Sequence, residues 1–131
     1  MADPLSITQS AYAAFGRGDI PAVLESFDDN VEWVLPDTPG VPIGGTHRGK
    51  QAVAQWFQKL AQEMEFHTFE PRQWIASGDK VVVLIHSEAT VKSTGKRLVD
   101  DLCHVHTVRN DKLVHFREWD DTLAAQEAFR K

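Results

Sequence analysis

Four titratable side chains repeat a spacing of two along the segment from residue 95 to 121. His104 and His106 are separated by one residue, and Glu118 and Asp120 show the same spacing after a polar turn. Apolar and polar residues alternate on both sides of the turn, which indicates two antiparallel strands joined by a short loop. Alternate side chains of a strand point to the same face. We therefore expect two imidazoles and two carboxyl groups on one face, where they could transfer protons near neutral pH.

The two faces of this predicted hairpin differ in chemical character. The first mixes apolar and titratable groups, and it comprises Leu98, Asp100, Leu102, His104, His106, Val108, Val114, Phe116, Glu118 and Asp120. The second comprises Arg97, Val99, Asp101, Cys103, Val105, Thr107, Leu113, His115, Arg117 and Trp119. A half-apolar surface with a few convergent titratable groups is typical of a ligand pocket. We expect the first face to point inward, so that Asp100 and not Asp101 faces the interior.

The composition is that of one soluble globular domain covering residues 1–131. Hydrophobic residues make up 42% and charged residues 25% of the chain, which are ordinary values. The net charge of −5 argues against a nucleic-acid partner, because phosphate contacts need a basic surface. The single cysteine, Cys103, excludes an intrachain disulfide, and no Cys/His spacing predicts a zinc site. With no long apolar run and no glycine-rich phosphate loop, we expect a cytoplasmic protein without membrane contact, metal or cofactor.

Helices are predicted mainly in the first half of the chain and strands in the second. Apolar residues at helical spacing predict helices over 5–16, from Asp19 through Phe27, over 50–63, and a short one from Thr122. Strands are predicted over 31–36, 65–76 and 80–93 and in the hairpin, with 37–49 as a loop. In the strand 80–93, Ser87 is on the predicted inner face, and His86 and Glu88 are on the outer face. This order predicts an α+β fold with helices on one face of a curved antiparallel sheet.

Several segments together resemble a known superfamily over nearly the whole chain. They are Gly18-Asp19, Phe27-Asp28-Asp29, Val31-Glu32-Trp33, Gly44 to Gly49, His104 to Val114 and Phe116-Arg117-Glu118-Trp119. This pattern resembles the nuclear transport factor 2-like, SnoaL-like proteins. The resemblance implies a cone-shaped barrel of a curved antiparallel or mixed sheet, with three helices of the N-terminal half on its concave face and a short C-terminal helix. It also implies a deep pocket under the helices and a homodimer through the outer sheet face.

The sequence departs from two enzyme types within this superfamily. Steroid isomerases have a tyrosine in the first helix where this chain has Ala11, with Tyr12 one position away. Their two catalytic aspartates correspond here to Trp33 and His104, so we do not expect steroid isomerisation by that mechanism. The Asp-Arg-Asp arrangement of the epoxide hydrolases is not matched either, since Glu88 is predicted to face outward.

Three residues are the candidates for catalysis. His104 is expected to shuttle protons, Glu118 to orient it, and Asp120 to act as a second acid or base. The simpler alternative is a buried hydrogen bond between His104 and Glu118 that only satisfies two polar groups. For Asp120 the alternative is a rim carboxylate that caps the C-terminal helix.

The remaining candidates are expected to contact a ligand. They are Tyr12, Trp33, Trp56, Ser87, Asp100, Leu102, His106 and Phe116. The two tryptophans could equally be core residues. Trp119, with Trp74 nearby, and Cys103 are expected at an outer dimer interface. His47 and Arg48 either gate the mouth or are solvated loop residues.

Two main functions remain open from the sequence. The first is a cofactor-independent isomerase, cyclase, dehydratase or related lyase that transfers protons on a small, mostly apolar carbonyl compound. The second is a module that binds such a molecule without converting it. A purely structural dimeric scaffold is a third possibility.

Overall fold

The computed structural model describes residues 3–131. Its elements in chain order are α1 (Pro4–Gly16), α2 (Ile20–Glu25), β1 (Phe27–Leu35), β2 (Gly45–Arg48), α3 (Lys50–Glu63), β3 (Met64–Ser77), β4 (Lys80–Val91), β5 (Arg97–Arg109), β6 (Lys112–Trp119) and α4 (Thr122–Phe129). No helix within the described range has the length and apolarity that crossing a membrane requires.

The strands form one six-stranded sheet in the order β2-β1-β6-β5-β4-β3. All neighbouring pairs are antiparallel except β1 and β6, which run parallel. The edge strands β2 and β3 do not pair with each other, so the curved sheet remains open. Helices α1, α2 and α3 pack against the sheet. The α+β fold, with its mixed cone-like sheet and a short C-terminal helix, is therefore confirmed.

Local sequence signals fix where the helices begin. The Asp3 side chain accepts a hydrogen bond from the Ser6 amide at 2.7 Å, with Pro4 in the first turn of α1. Asp19 caps α2 in the same way through the Ala22 amide at 3.2 Å. Such caps satisfy amides that have no partner inside the helix. The starts of α1 and α2 are thus encoded locally.

Two predictions near the first strand were wrong. Helix α2 ends at Glu25, and strand β1 already begins at Phe27 rather than at residue 31. Phe27 is fully buried and opposite Leu113 of β6, and this long-range pairing overrides the turn tendency of residues 28–30. The segment 37–49 is also not all loop, because β2 returns antiparallel to the end of β1.

A β-bulge in β6 changes the predicted side-chain parity at one position. Val108 is opposite Leu113 and Thr107 is opposite His115, so Val114 is an extra residue on β6. Leu113 therefore points into the core, with 1% of its surface exposed, in the place expected for Val114. Beyond the bulge the predicted parity holds.

The hairpin turn before β6 is tight. Asn110 and Asp111 have φ angles of 51° and 64°, and the flanking residues Arg109 and Lys112 pair with each other. Two consecutive left-handed residues are the geometry of a two-residue hairpin turn, which Asn and Asp tolerate better than other side chains. The turn therefore holds the two strands in their register.

Candidate functional site

A cavity of about 120 Å³ lies between the helices and the concave face of the sheet. Most of its lining is apolar, with the polar groups concentrated on β5 and β6. The three catalytic and the eight ligand-contact candidates all line it: Tyr12, Trp33, Trp56, Ser87, Asp100, Leu102, His104, His106, Phe116, Glu118 and Asp120. The parity of the hairpin therefore placed its members among these residues on the face that lines the cavity.

Aromatic rings form one wall of the cavity. Trp33 stacks on Phe116 of the neighbouring strand, with ring centroids 3.7 Å apart and planes inclined by 18°. Trp56 packs against Trp33 from helix α3 and donates its indole N–H to the Ile43 carbonyl at 2.9 Å. Trp33 Nε1 is buried and has no hydrogen-bond partner among residues 3–131. These rings are at once core residues and the flat side of the cavity.

The loop after β1 and helix α4 form one end of the cavity. Pro36, Val41 and Ile43 of this loop line it, as does Ala125 of α4. The Gln126 side chain donates to the Pro39 carbonyl at 3.1 Å and joins the two segments. This end is held together by few contacts compared with the sheet.

A chain of hydrogen bonds connects four side chains of the cavity. Glu118 Oε1 lies 2.8 Å from His104 Nε2, because the two residues face each other across β5 and β6. His104 Nδ1 lies 2.6 Å from the Tyr12 hydroxyl, which is also 2.7 Å from His106 Nε2. Helix α1 brings Tyr12 into this position. The link through Tyr12 could not be predicted from strand parity, since it depends on how α1 packs on the sheet.

Burial keeps the two imidazoles uncharged. It lowers the pKa of His104 from 6.5 to about 3. It also lowers the pKa of His106 well below its usual value, and the neighbouring His104 adds to this effect. The contact between His104 and Glu118 is therefore a hydrogen bond between a neutral imidazole and a carboxyl group, not an ion pair.

Three carboxyl groups near this chain hold their protons to unusually high pH. Burial raises the pKa of Glu118 to about 7. Burial, followed by the neighbouring charge of Glu118, raises the pKa of Asp120 to about 7. The pKa of Asp100 also rises to about 7 through burial, although its carboxylate accepts the Asp121 amide at 3.1 Å. Acids and bases that exchange protons near neutral pH are the groups that acid–base catalysis needs.

The outer face of the sheet carries a separate polar cluster. His86 Nδ1 lies 2.8 Å from Asp101, and His86 Nε2 lies 3.0 Å from Glu88, which also pairs with Arg97. Asp101 and Glu88 thus face outward and Asp100 inward, as the alternation predicts.

Three further residues named from the sequence, Trp74, His47 and Arg48, lie outside the places proposed for them at the dimer interface and the cavity mouth. The placement of Trp74 near Trp119 was wrong, because Trp74 packs against Tyr12 on the concave side, with ring centroids 5.2 Å apart. Neither loop residue lines the cavity: Arg48 pairs with Glu32 at 3.0 Å, and His47 contacts the Gly44 carbonyl at 3.0 Å.

Sequence reasoning also missed several apolar residues of the cavity. Phe15 and Phe69 line it beside Tyr12, and Leu113 reaches it through the bulge. Phe15 continues the helical stripe of Ala11 and could have been found from that spacing. Within residues 3–131, no group of three or more His, Cys, Asp or Glu side chains is arranged to hold a metal ion.

Comparison with known proteins identifies the family. The model of the SnoaL-like domain family matches residues 8–116. Among proteins of curated function none matches the chain. The crystal structure of an NTF2-like protein from Burkholderia xenovorans LB400 is similar at 35% identity and a TM-score of 0.89, over 97% of this chain and 95% of that one.

Two further solved structures show the same similarity. An NTF2-like protein from Burkholderia thailandensis E264 is 29% identical with a TM-score of 0.91, and both chains are covered completely. TerC, co-crystallised with polyporic acid, is 27% identical with a TM-score of 0.84, over 98% of each chain. On the family match, the fold and the cavity beneath its helices, the chain belongs to the SnoaL-like family.

Proposed function

We propose that this SnoaL-like protein is a cofactor-independent enzyme that transfers protons on a small, mostly apolar carbonyl compound, as an isomerase, cyclase or dehydratase does. One observation carries the proposal: a hydrogen-bonded Glu118–His104 pair lies beside Asp120 in a mostly apolar cavity. Buried acids and bases of this kind are usually found where they do chemistry, because placing them in an apolar interior destabilises the fold.

The proposed reaction uses Glu118 as the base and Asp120 as the acid. Glu118, as the carboxylate, removes a proton from the carbon next to the substrate carbonyl, and the electron pair of the broken C–H bond moves toward oxygen. Asp120, as the neutral acid, donates a proton to that oxygen, so that the products are the enol, protonated Glu118 and ionised Asp120. His104 stays hydrogen-bonded to Glu118 throughout. Acid–base work of this kind contributes ~10²–10⁴-fold to a rate.

The cavity favours a substrate with a flat ring. Its volume of about 120 Å³ approaches that of cavities that hold one benzene ring, which are roughly 150 Å³. Trp33 and Phe116 provide a flat apolar wall for such a ring. The similarity to TerC, which was co-crystallised with polyporic acid, supports a small organic ligand for this fold.

Deuterium exchange tests this proposal without knowledge of the natural substrate. Cyclopentanone, cyclohexanone and 2-cyclohexenone are incubated with the protein in D2O, and loss of the C–H signal next to the carbonyl is followed by proton NMR. We expect faster exchange of at least one probe with the wild-type chain than with Glu118→Gln. Equal rates for the two proteins with every probe would contradict the proposal.

A non-catalytic binding module is the second candidate. It is favoured by the engagement of both ring nitrogens of His104 inside the protein, which leaves no free imidazole nitrogen for a substrate. Calorimetry with the same probes separates the two functions. Binding of a probe without any enhanced exchange would support the binding module and contradict the enzyme.

The proposal includes a homodimer formed through the outer face of the sheet. Val99 and Trp119 are about half exposed there, at 52% and 48%, and Arg117 lies over the Trp119 ring at 4.8 Å. Analytical ultracentrifugation checks this, with Trp119→Glu expected to shift a dimer to a monomer. A wild-type monomer at all concentrations would contradict it.

We place the protein in the cytoplasm, where the free thiol of Cys103 stays reduced.

A further inference from the structure

The hydroxyl of Tyr12 lies between two imidazole nitrogens and has only one hydrogen to donate. It is 2.6 Å from His104 Nδ1 and 2.7 Å from His106 Nε2. If it donates to one ring, it must accept from the other, so both rings hold their protons in a correlated way. Each neutral imidazole has only one N–H, so it donates through one ring nitrogen and accepts through the other. The chain of hydrogen bonds therefore donates either from His106 toward Glu118 or from Glu118 toward His106.

The far end of the chain decides between these directions. His106 Nδ1 is buried and has no hydrogen-bond partner among residues 3–131. A proton on this nitrogen would be a buried donor without an acceptor, which folded proteins avoid more strictly than an unused lone pair. His106 therefore carries its proton on Nε2 and donates it to Tyr12.

This choice fixes the remaining hydrogen bonds. Because Tyr12 accepts from His106, its own hydrogen goes to His104 Nδ1. The proton of the neutral His104 ring then lies on Nε2, which is 2.8 Å from Glu118 Oε1. Glu118 is thus presented with an N–H donor, which stabilises its carboxylate form over its protonated form.

We propose that His106, Tyr12 and His104 form a one-directional hydrogen-bond chain that holds Glu118 as the carboxylate base facing the cavity. This inference rests on the proposed function and goes beyond it, since it makes Tyr12 and His106 positioning residues. It also means that the Tyr12 hydroxyl is committed to His104 and is not a donor for a substrate. A substrate carbonyl must then receive its proton from a carboxylic acid such as Asp120.

Other titratable groups surround the chain and enter any test that depends on pH. Burial and, to a smaller extent, Cys103 of β5 raise the pKa of Tyr12. Burial and, to a smaller extent, His115 of β6 lower the pKa of His106. Asp120, directly after β6, hydrogen-bonds Glu118, and Asp100 lines the same cavity from β5. None of these groups forms a hydrogen bond with the three ring side chains in the described part of the protein. The direction of the chain is therefore set by its own members.

Nitrogen NMR measures the direction of the chain in the protein alone. In uniformly ¹⁵N-labelled protein at pH 7.5, long-range ¹H–¹⁵N spectra distinguish the Nδ1–H and Nε2–H forms of each neutral histidine. We expect His104 and His106 both to be Nε2–H tautomers. An Nδ1–H tautomer at either ring would overturn the proposal. The exposed His67 serves as a reference ring outside the chain.

Substitutions test whether the chain acts on Glu118. The pH midpoint of Glu118 is followed through its ¹³C-labelled carboxyl group in wild type, Tyr12→Phe, His106→Leu and His106→Gln. We expect Tyr12→Phe to raise the midpoint by roughly a few tenths of a pH unit, because the bond from His104 to Glu118 remains but the Tyr12 hydroxyl no longer polarises the His104 ring through Nδ1. His106→Leu should shift it in the same direction, and His106→Gln, which keeps a donor near Nε2, should restore it. An unchanged midpoint in Tyr12→Phe would overturn the positioning role.

These measurements fail separately from the proposed function. The tautomers and the carboxyl midpoint are read without substrate, so they hold or fail whether or not any probe exchanges deuterium. If the probes do not exchange but both rings are Nε2–H tautomers, the chain stands and the enzyme proposal fails. If the rings have the other tautomer while Glu118→Gln abolishes exchange, the enzyme stands and the chain fails. The wild-type spectrum remains decisive should a variant not fold.

Discussion

Two histidine–carboxyl pairs lie on opposite faces of the same sheet, and they have the same nitrogen-to-oxygen distance. His104 Nε2 is 2.8 Å from Glu118 on the concave face, and His86 Nδ1 is 2.8 Å from Asp101 on the outer face. Their pKa values nevertheless move in opposite directions. Burial lowers the pKa of His104 to about 3, whereas the hydrogen bonds to Asp101 and then Glu88 raise the pKa of His86.

The difference teaches that solvent access, and not the hydrogen bond itself, decides the charge of these pairs. The Asp101 side chain is 85% exposed, so water stabilises its charge and the charged imidazole beside it. The Glu118 side chain is only 13% exposed, and the apolar surroundings disfavour both charges. The outer pair favours the protonated imidazole, whereas the inner pair keeps a neutral imidazole beside a carboxyl group whose pKa is raised to about 7. The following predictions test this contrast, beginning with the largest expected effect.

Removing the inner pair should abolish most of the proposed activity. We expect Glu118→Gln or His104→Ala to slow deuterium exchange of a responsive probe by ~10²–10⁴-fold, because the base or its partner is lost. The matched outer variants, His86→Ala and Asp101→Asn, should exchange at the wild-type rate. An equal loss from both sets of variants would mean that the sheet, and not the inner site, was damaged.

The two histidines should have opposite effects on stability as the pH changes. Between about pH 3 and 6.5 the unfolded chain protonates His104 while the folded chain does not, so this residue makes the fold less stable as the pH falls. His86 has a raised folded pKa, so its contribution is present below pH 6.5 and is lost as the pH rises through the folded value. We therefore expect urea unfolding midpoints of His104→Gln to fall less between pH 6.5 and 4 than those of wild type. Above pH 6.5 we expect wild type to lose its stability advantage over His86→Gln as the pH rises. Parallel curves for all three proteins would contradict the contrast.

Loss of the Tyr12 hydroxyl should destabilise the protein more than loss of an outer contact. Tyr12→Phe leaves His104 Nδ1 and His106 Nε2 buried without their shared partner, which costs about 1–3 kcal/mol of unfolding free energy. Urea denaturation measures this value at pH 7.5. Phe15→Leu, a nearby change without a polar contact, is the control for altered packing. If Tyr12→Phe were as stable as wild type, the hydrogen bonds would contribute nothing.

The smallest effect is expected on the outer face. Arg97→Ala removes the partner of Glu88, and pairs of this exposure contribute about 0–1 kcal/mol, which salt screens further. We expect a small loss of stability at low ionic strength that disappears in about 0.5 M salt, where the charges are screened. A loss above about 2 kcal/mol would show that the outer cluster is as important to the fold as the inner chain.

Strand periodicity predicted the inner site because alternate residues of a strand point to the same face, and the same alternation is visible in the residue types. His104 and Glu118 were assigned to one face from the alternation alone, and the register places them opposite each other. The assignment failed at Leu113 and Val114, where a bulge adds a residue that alternation cannot reveal. The early start of β1 and the placement of Trp74 were also missed, because both depend on contacts between distant segments. Tyr12 was named as a ligand contact, yet its bonds to both imidazoles require the packed position of α1.

The pH dependence of deuterium exchange tests the central claim most directly. Glu118 must be ionised to accept a proton and Asp120 protonated to donate one, and their pKa values are each raised to about 7. Exchange should therefore be fastest near pH 7, falling at lower pH as Glu118 gains a proton and at higher pH as Asp120 loses its own. The low-pH limb should disappear in Glu118→Gln. A wild-type rate that does not change between pH 5 and 9, or that keeps its low-pH limb in Glu118→Gln, would contradict proton transfer by the inner pair.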